Sequence, residues 1–529
     1  MESIGDLPTD EEFARIKEAI CEEESAIAGI DVQIDGLMRE ICRLRFKQTK
    51  HRERIGLYQG SISLARRLPQ EILASIFQFC ARDGWTRFPL TASHVCRQWR
   101  AASMIPLVWS HLYIEANNVD PYRRASFWLQ RSDSAPLYIT LDLRNETSTA
   151  EMLSPVVNLL LEDSRRWRSL RIISHWIDHA NVILGRCNTS SFPQLRELDL
   201  AILDDFVTFQ DGNQIFDGVE LADLSDCFQN ASQLRAVTIS RNVLSSATPL
   251  PSSIADLTLH FPSSTISAVL SNAVLLNILE QLPLLHHLAI SISSDPQRVF
   301  RDDVDEQRSI IIPSLHTLTI TSNPDIFGFL PYIRTPSLVN LHLRSSTEPL
   351  GYVVESFGRT VLQFIESACP PIEHLELRDI DLSENHFLAC FSHLPTLQTL
   401  RLHESDISDE VLNAFCGPEA LCAHLKILDL RWCGQITGST LVRLARSRLM
   451  GGSSDQHHLD PITTITLINC AFVGEQHIMD LSRIATCRIV MNDVDDCCRT
   501  TGCCNNERYR RRLYLRNIGA VESERKIIL

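Results

Sequence analysis

The chain has 529 residues, 44% of them hydrophobic and 22% charged, which is a globular balance in a polypeptide too long for one core. Its formal charge of −15 lacks the basic footprint of a general nucleic-acid binder, and no apolar run reaches the roughly 18 residues that a membrane span needs. The opening MESIGDLPTDEEF is acidic and has no apolar stretch, so no secretory signal is expected and the chain is placed in the cytoplasm, the nucleus or both. Its 17 cysteines include several at apolar positions (Cys42, Cys80, Cys96, Cys390 and Cys416) and read as small buried hydrophobes of a reducing compartment.

Residues 1–63 form the first segment. Between 11 and 58 there is no proline, and one heptad column holds Phe13, Ile20, Ile27, Ile34 and Ile41. The column three residues on holds Ile16, Ile30, Leu37 and Leu44, broken by Glu23. Such a seam predicts a helix with one face to be buried, and isoleucine at a with leucine at d favours a parallel two-stranded coil. Two covers are open: the helix folds back on the next domain, or it pairs with a second copy in a homodimer through residues 13–44.

Residues 64–114 carry the densest signal. Leu68 and Pro69 lead into Gln70–Glu71–Ile72–Leu73, with Pro69 suited to a helix start because its missing N–H costs nothing there. Ile72, Ile76 and Phe79 share one helical face, and a turn follows at Arg82–Asp83–Gly84. A second helical stretch runs through Leu90, Val95, Cys96, Trp99 and Arg100 and ends at Pro106–Leu107–Val108–Trp109. A unit this small has a marginal core of its own, so packing against a partner is expected.

LPQEILASIF at 68–77, Leu90, VCRQWR at 95–100 and PLVW at 106–109 resemble the F-box motif along its whole length, with Cys80 as a mild departure. The resemblance implies docking to the small adaptor subunit of cullin–RING ubiquitin ligases. The adaptor-binding residues carried over are Leu68, Pro69, Glu71, Ile72, Ile76, Leu90, Val95, Cys96, Trp99, Pro106 and Trp109.

Residues 130–490 return repeatedly to an apolar residue, two others, an apolar, one other and an apolar. The anchors are Trp167, Leu195, Leu234, Ile254, Leu285, Leu315, Leu338, Ile372, Leu397, Leu425 and Ile462. Five have proline two residues upstream (Pro193, Pro283, Pro313, Pro336 and Pro395), where average composition would place only about half a proline. Each proline is taken to mark the start of a strand. Strands that each expose an edge only the next can bury imply a stacked array with one parallel sheet, so the fold class is α/β. LKILDLRWCGQITGSTLVRLA at 425–445, with Cys433 after the strand and Cys470 in the next unit, resembles the cysteine-containing leucine-rich repeats that accompany an F-box. The order of coil, F-box and irregular repeats is similar to the large F-box families of mushroom-forming fungi.

Outward strand positions in the clearest repeats place Arg378, Arg401 and Arg431 in a ladder of like charges, with His403 beside them. That ladder predicts an acidic or phosphorylated client segment, while local carboxylates such as Asp379 or Asp429 offer the competing partners. The tail, 491–529, holds Cys497–Cys498, Cys503–Cys504 and the basic run from Arg508 to Arg512, but neither tail nor His457–His458 has zinc-ligand spacing. No phosphate loop, nucleophile elbow or HExxH motif is present. The expectation is a non-catalytic adaptor without metal or cofactor, joining a cullin-linked small adaptor subunit to an unknown client, with a non-degradative scaffold as the alternative.

Overall fold

A computed structural model describes residues 10–490, apart from 62–63, 117–119, 145–149, 204–206, 211–212, 217–220, 242–249, 263–268, 293–298, 302–303, 306–307, 323, 346–350, 418, 451–458 and 471. The tail cysteines and arginines and His457–His458 therefore lie outside the described residues. The chain forms two compact units: residues up to Cys80 with Arg87–Ile105, and Ala81–Thr86 with the chain from Pro106 onward. No helix among the described residues is long and apolar enough to cross a membrane.

In the first unit, α1 spans Asp10–Ser61, 52 residues. Asp10, Glu11 and Glu12 occupy its first turn, where negative charge offsets the positive end of the helix dipole. The expected seam lies on this helix but is uncovered, with Ile20 at 52%, Ile27 at 57%, Ile34 at 50% and Ile41 at 42% exposure. The fold-back expectation is thus not met. Cys42, expected to be buried, is exposed on the same helix.

Among the described residues the second unit is built on a sheet of fourteen strands whose spatial order follows the order of the chain, each joined to the next by a crossover. It runs from β1 (His111–Glu115) to β14 (Thr486–Val490), and neighbouring strands pair in parallel. The sheet begins at His111, ahead of residue 130. Inward leucines and isoleucines alternate with outward polar residues, as in β9 (Asn340–Ser345), where Leu341 and Leu343 are buried. Successive return helices pack on one another, among them Gly351–Ala368, Glu384–Ser392, Asp409–Asn413, Gly438–Met450 and Glu475–Ser482.

All eleven expected anchors are buried. Ten of them sit two residues before their strand, and Trp167 opens its own. Leu195, Leu285, Leu315, Leu338 and Leu397 each donate their amide to the carbonyl three residues back, at 3.1–3.4 Å, closing a turn ahead of the strand. The five prolines occupy the second position of these turns, where a fixed φ near −65° is required. They mark the turn and not the first strand residue, which corrects the expectation. Leu234 and Leu425 close the same turn without proline.

The last four repeats share a device at the other end of the strand. Asp379, Glu404, Trp432 and Asn469 directly follow β10 (His374–Arg378), β11 (Thr399–His403), β12 (Ile427–Arg431) and β13 (Thr464–Ile468), and all have φ between 53° and 57°. A left-handed non-glycine residue costs roughly 1–2 kcal/mol. The first three recover a ladder bond, with their amides donating to the carbonyls of His403, Arg431 and Ile468 at 2.7–2.9 Å. In the two most regular repeats the next residue is Cys433 or Cys470, whose thiols donate to the carbonyls of Leu402 and Leu430, each at 3.5 Å. Both cysteines are buried, as are Cys187, Cys390 and Cys422, whose thiols burial pushes up to about 12.

One buried cation ties the last return segments together. Arg448, on the helix Gly438–Met450, is 1% exposed. It donates to four backbone carbonyls: Phe415 at 2.9 Å, Ala423 at 2.9 Å, Leu421 at 2.7 Å and Cys422 at 3.1 Å. Burial lowers its pKa from the usual arginine value. Replacing it with methionine keeps the stem but takes the donor from the Phe415 and Leu421 carbonyls, while Cys422 still accepts from Leu425 and Ala423 from Asp460, at a cost of about 3 kcal/mol. Hydrogen exchange at 415–423 in Arg448→Met is expected to rise at least a hundredfold, and unchanged protection there would refute this role.

Candidate functional site

Three helices of the first unit build the candidate site: α2 (Gln70–Arg82), α3 (Phe88–Ser93) and α4 (Arg97–Ser103), after a short helical turn at Leu64–Arg67. On one side of α2, Leu73, Ala74 and Phe77 are buried. Phe77 meets Phe88 edge-on at 5.2 Å and Trp99 at 5.0 Å, a three-ring cluster joining the three helices. Pro89 stands in the first turn of α3, where its missing N–H is tolerated.

Two glutamines fasten the lead-in to α4. Gln98 Nε2 donates to the Leu68 carbonyl at 2.8 Å, and Gln70 Nε2 donates to the Ala101 carbonyl at 3.0 Å. Arg100 Nε donates to the Ser93 carbonyl at 2.8 Å, closing the α3–α4 turn. These clamps fix Leu68 and Pro69 relative to α4. Gln70 and Gln98 were absent from the expected site because polarity alone does not reveal which backbone carbonyl a side chain will reach.

The other side of α2 is apolar and uncovered. Ile72 is 48% exposed, Ile76 43% and Phe79 68%. Val95 and Leu90 are also exposed, Pro69 and Glu71 are exposed, and Leu68, Cys96 and Trp99 are half-buried. Ile72, Ile76 and Phe79 fall at i, i+4 and i+7, so they form one continuous stripe. Trp99 has its ring in the Phe77 cluster and is half-buried. Phe79 belongs to this surface although the family pattern did not supply it.

Two carried-over residues fall outside this surface. Pro106 is half-buried and Trp109 fully buried, both in the second unit. The Trp109 ring meets Phe127 at 5.5 Å and Trp128 at 5.1 Å. Trp109 is therefore a core residue, not a contact residue.

The expected arginine ladder does not form. Register pairs Arg378 with His403 and His403 with Arg431, while Arg401 lies in the adjacent row between Glu376 and Asp429. Local carboxylates meet the cations: Arg431 is bidentate to Asp429 at 2.8 and 2.9 Å, and Arg378 lies 3.7 Å from Asp379. Glu376, 5% exposed, accepts from Arg344 Nε at 2.8 Å and Nη2 at 3.2 Å and shares a hydrogen bond with His342 at 3.1 Å. Despite its burial, these partners hold the Glu376 carboxyl well below the usual range. Arg401 is exposed and makes no ion pair with a described residue. With the row neutralised from within, like-charge strain no longer calls for an anionic client.

His403 is held neutral. Burial, and after it the Arg431 guanidinium, lowers its pKa from 6.5 to about 4. Between those values the unfolded chain takes up a proton that the folded one refuses, so this stability is complete above about 6.5 and lost as pH falls toward about 4. His403→Asn should shrink the drop in melting temperature between about pH 7 and about pH 5, leaving the part due to His111, also lowered to about 4. An undiminished drop would contradict the assignment.

A search of curated proteins returns no match to this chain. The F-box-like family model matches residues 65–115, the segment that contains the three-ring cluster and the exposed α2 stripe, and this match supports reading the chain as an F-box protein.

Proposed function

We propose that the chain is the substrate-recognition adaptor of a cullin–RING ubiquitin ligase. The carrying observation is the uncovered stripe of Ile72, Ile76 and Phe79 on a unit matched as F-box-like. Burying a large apolar side chain fully is worth about 1.5–3 kcal/mol, so three of them with Val95 and the clamped Leu68–Pro69 lead-in supply a strong anchor for the small adaptor subunit. Glu71 offers a charged rim to the same surface.

The sheet unit is proposed as a leucine-rich-repeat array that holds the client. Supporting this are the strictly sequential parallel strands and the two cysteines that cap a strand of the preceding repeat through their thiols. The mechanism is proximity. Acting as a non-catalytic subunit, the chain would raise the effective concentration of a client lysine near a conjugating enzyme carried by the complex. It would do so in the cytoplasm, the nucleus or both.

Changing Leu68 and Pro69 to alanine removes the lead-in and leaves the sheet untouched. Adaptor binding should fall tenfold or more, about 1.4 kcal/mol or greater. Undiminished binding by the folded double variant would sink the docking assignment. Capture under proteasome inhibition should then enrich ubiquitylated clients, and clients recovered without ubiquitin would favour a non-degradative scaffold.

A further inference from the structure

The seam of α1 has no cover among the described residues, and the charges along the helix say what covers it. Residues 10–24 carry seven acidic and two basic side chains, and residues 39–54 carry seven basic and two acidic ones. The helix is thus acidic along its first part and basic along its last. Two copies lying parallel set like against like, whereas two lying antiparallel set acid against base. We propose that α1 pairs with α1 of a second copy in an antiparallel coiled coil.

The residue-level register agrees. With Ile27 packed against Ile30 of the other copy, Phe13 meets Leu44, Ile16 meets Ile41 and Ile20 meets Leu37, so the apolar seam is filled from end to end. Glu23, the one polar residue in the seam, then faces Ile34 of the other copy. A parallel pair would instead press the two Glu23 carboxylates together in the same buried layer, where like charges are costly. Along the flanks, antiparallel pairing sets Glu12 beside Lys47 and Asp10 beside Arg45, each twice. Its one unfavourable flank pair is Glu24 beside Asp31. Parallel pairing would offer Glu12 to Lys17 and Glu40 to Arg45 but also set Lys47 beside Arg52. The isoleucine and leucine preference bears on the number of strands in parallel coils. Orientation follows from the charges and the polar layer.

The consequence is spacing. In this register the chain leaves the coil at Ser61 on opposite ends, about 100 Å apart, where a parallel coil would bring the exits within about 10 Å. The dimer therefore presents two widely separated docking units. None of this requires the docking assignment to hold.

Light scattering on the full chain should give twice the 59.9 kDa of one chain. Zero-length carbodiimide coupling should then join Glu12 to Lys47. These two stand about 50 Å apart within one helix, so the link can form only between antiparallel copies. Lys47→Glu should weaken the dimer at least tenfold, and Glu12→Lys added to it should restore the dimer. A monomer, a trimer, a dimer lacking the Glu12–Lys47 link, or a dimer strengthened by Lys47→Glu (as a parallel pair would be) overturns the proposal.

Discussion

A helix of thirteen residues with apolar side chains on two faces can satisfy only one of them inside a small unit, and α2 is such a helix. Phe77 takes the inner face and with Phe88 and Trp99 accounts for most of what this unit can call a core. Ile72, Ile76 and Phe79 take the outer face and remain in water. A core this small does not have room for them as well. The exposed stripe is thus a consequence of size, and among the described residues nothing covers it.

The sheet unit solves the opposite problem. Each strand has an apolar side that its successor buries, so the stack grows along the chain with no long-range rearrangement. A local turn sets the start of each strand, and in the last four repeats a left-handed residue sets its end. Between these ends the outward row carries buried carboxylates at Glu376 and Asp429, with arginine and histidine folded over them. That surface is charged but internally neutralised, and its exposed exception is Arg401.

Spacing made much of this legible in the sequence. The heptad of α1, the burial of all eleven anchors and the parallel α/β sheet all follow from apolar periodicity, which burial enforces directly. The docking helix was visible because its apolar residues recur at helical intervals. What escaped were features set by position in three dimensions. Proline two residues before an anchor fits a turn as well as a strand edge, and only the carbonyl three residues back decides between them. Assigning Arg401 to the row of Arg378 and Arg431 required a register that the two-residue period cannot supply between strands of different repeats. Trp109 matched a family position, yet Phe127 and Trp128 claim its ring. Neither the glutamine clamps nor the anchor of Arg448 leaves a periodic trace, since each depends on which carbonyl comes within reach.

In the proposed function, the outer face of α2 and the lead-in before it are the surface at which the ligase adaptor is met. Hydrogen exchange of the full chain, with and without the small adaptor subunit, tests it most directly. Slowed exchange is expected only at 68–79 and 90–99, with the fourteen strands unchanged. Slowing in the strands while 68–79 exchanges as before would contradict it.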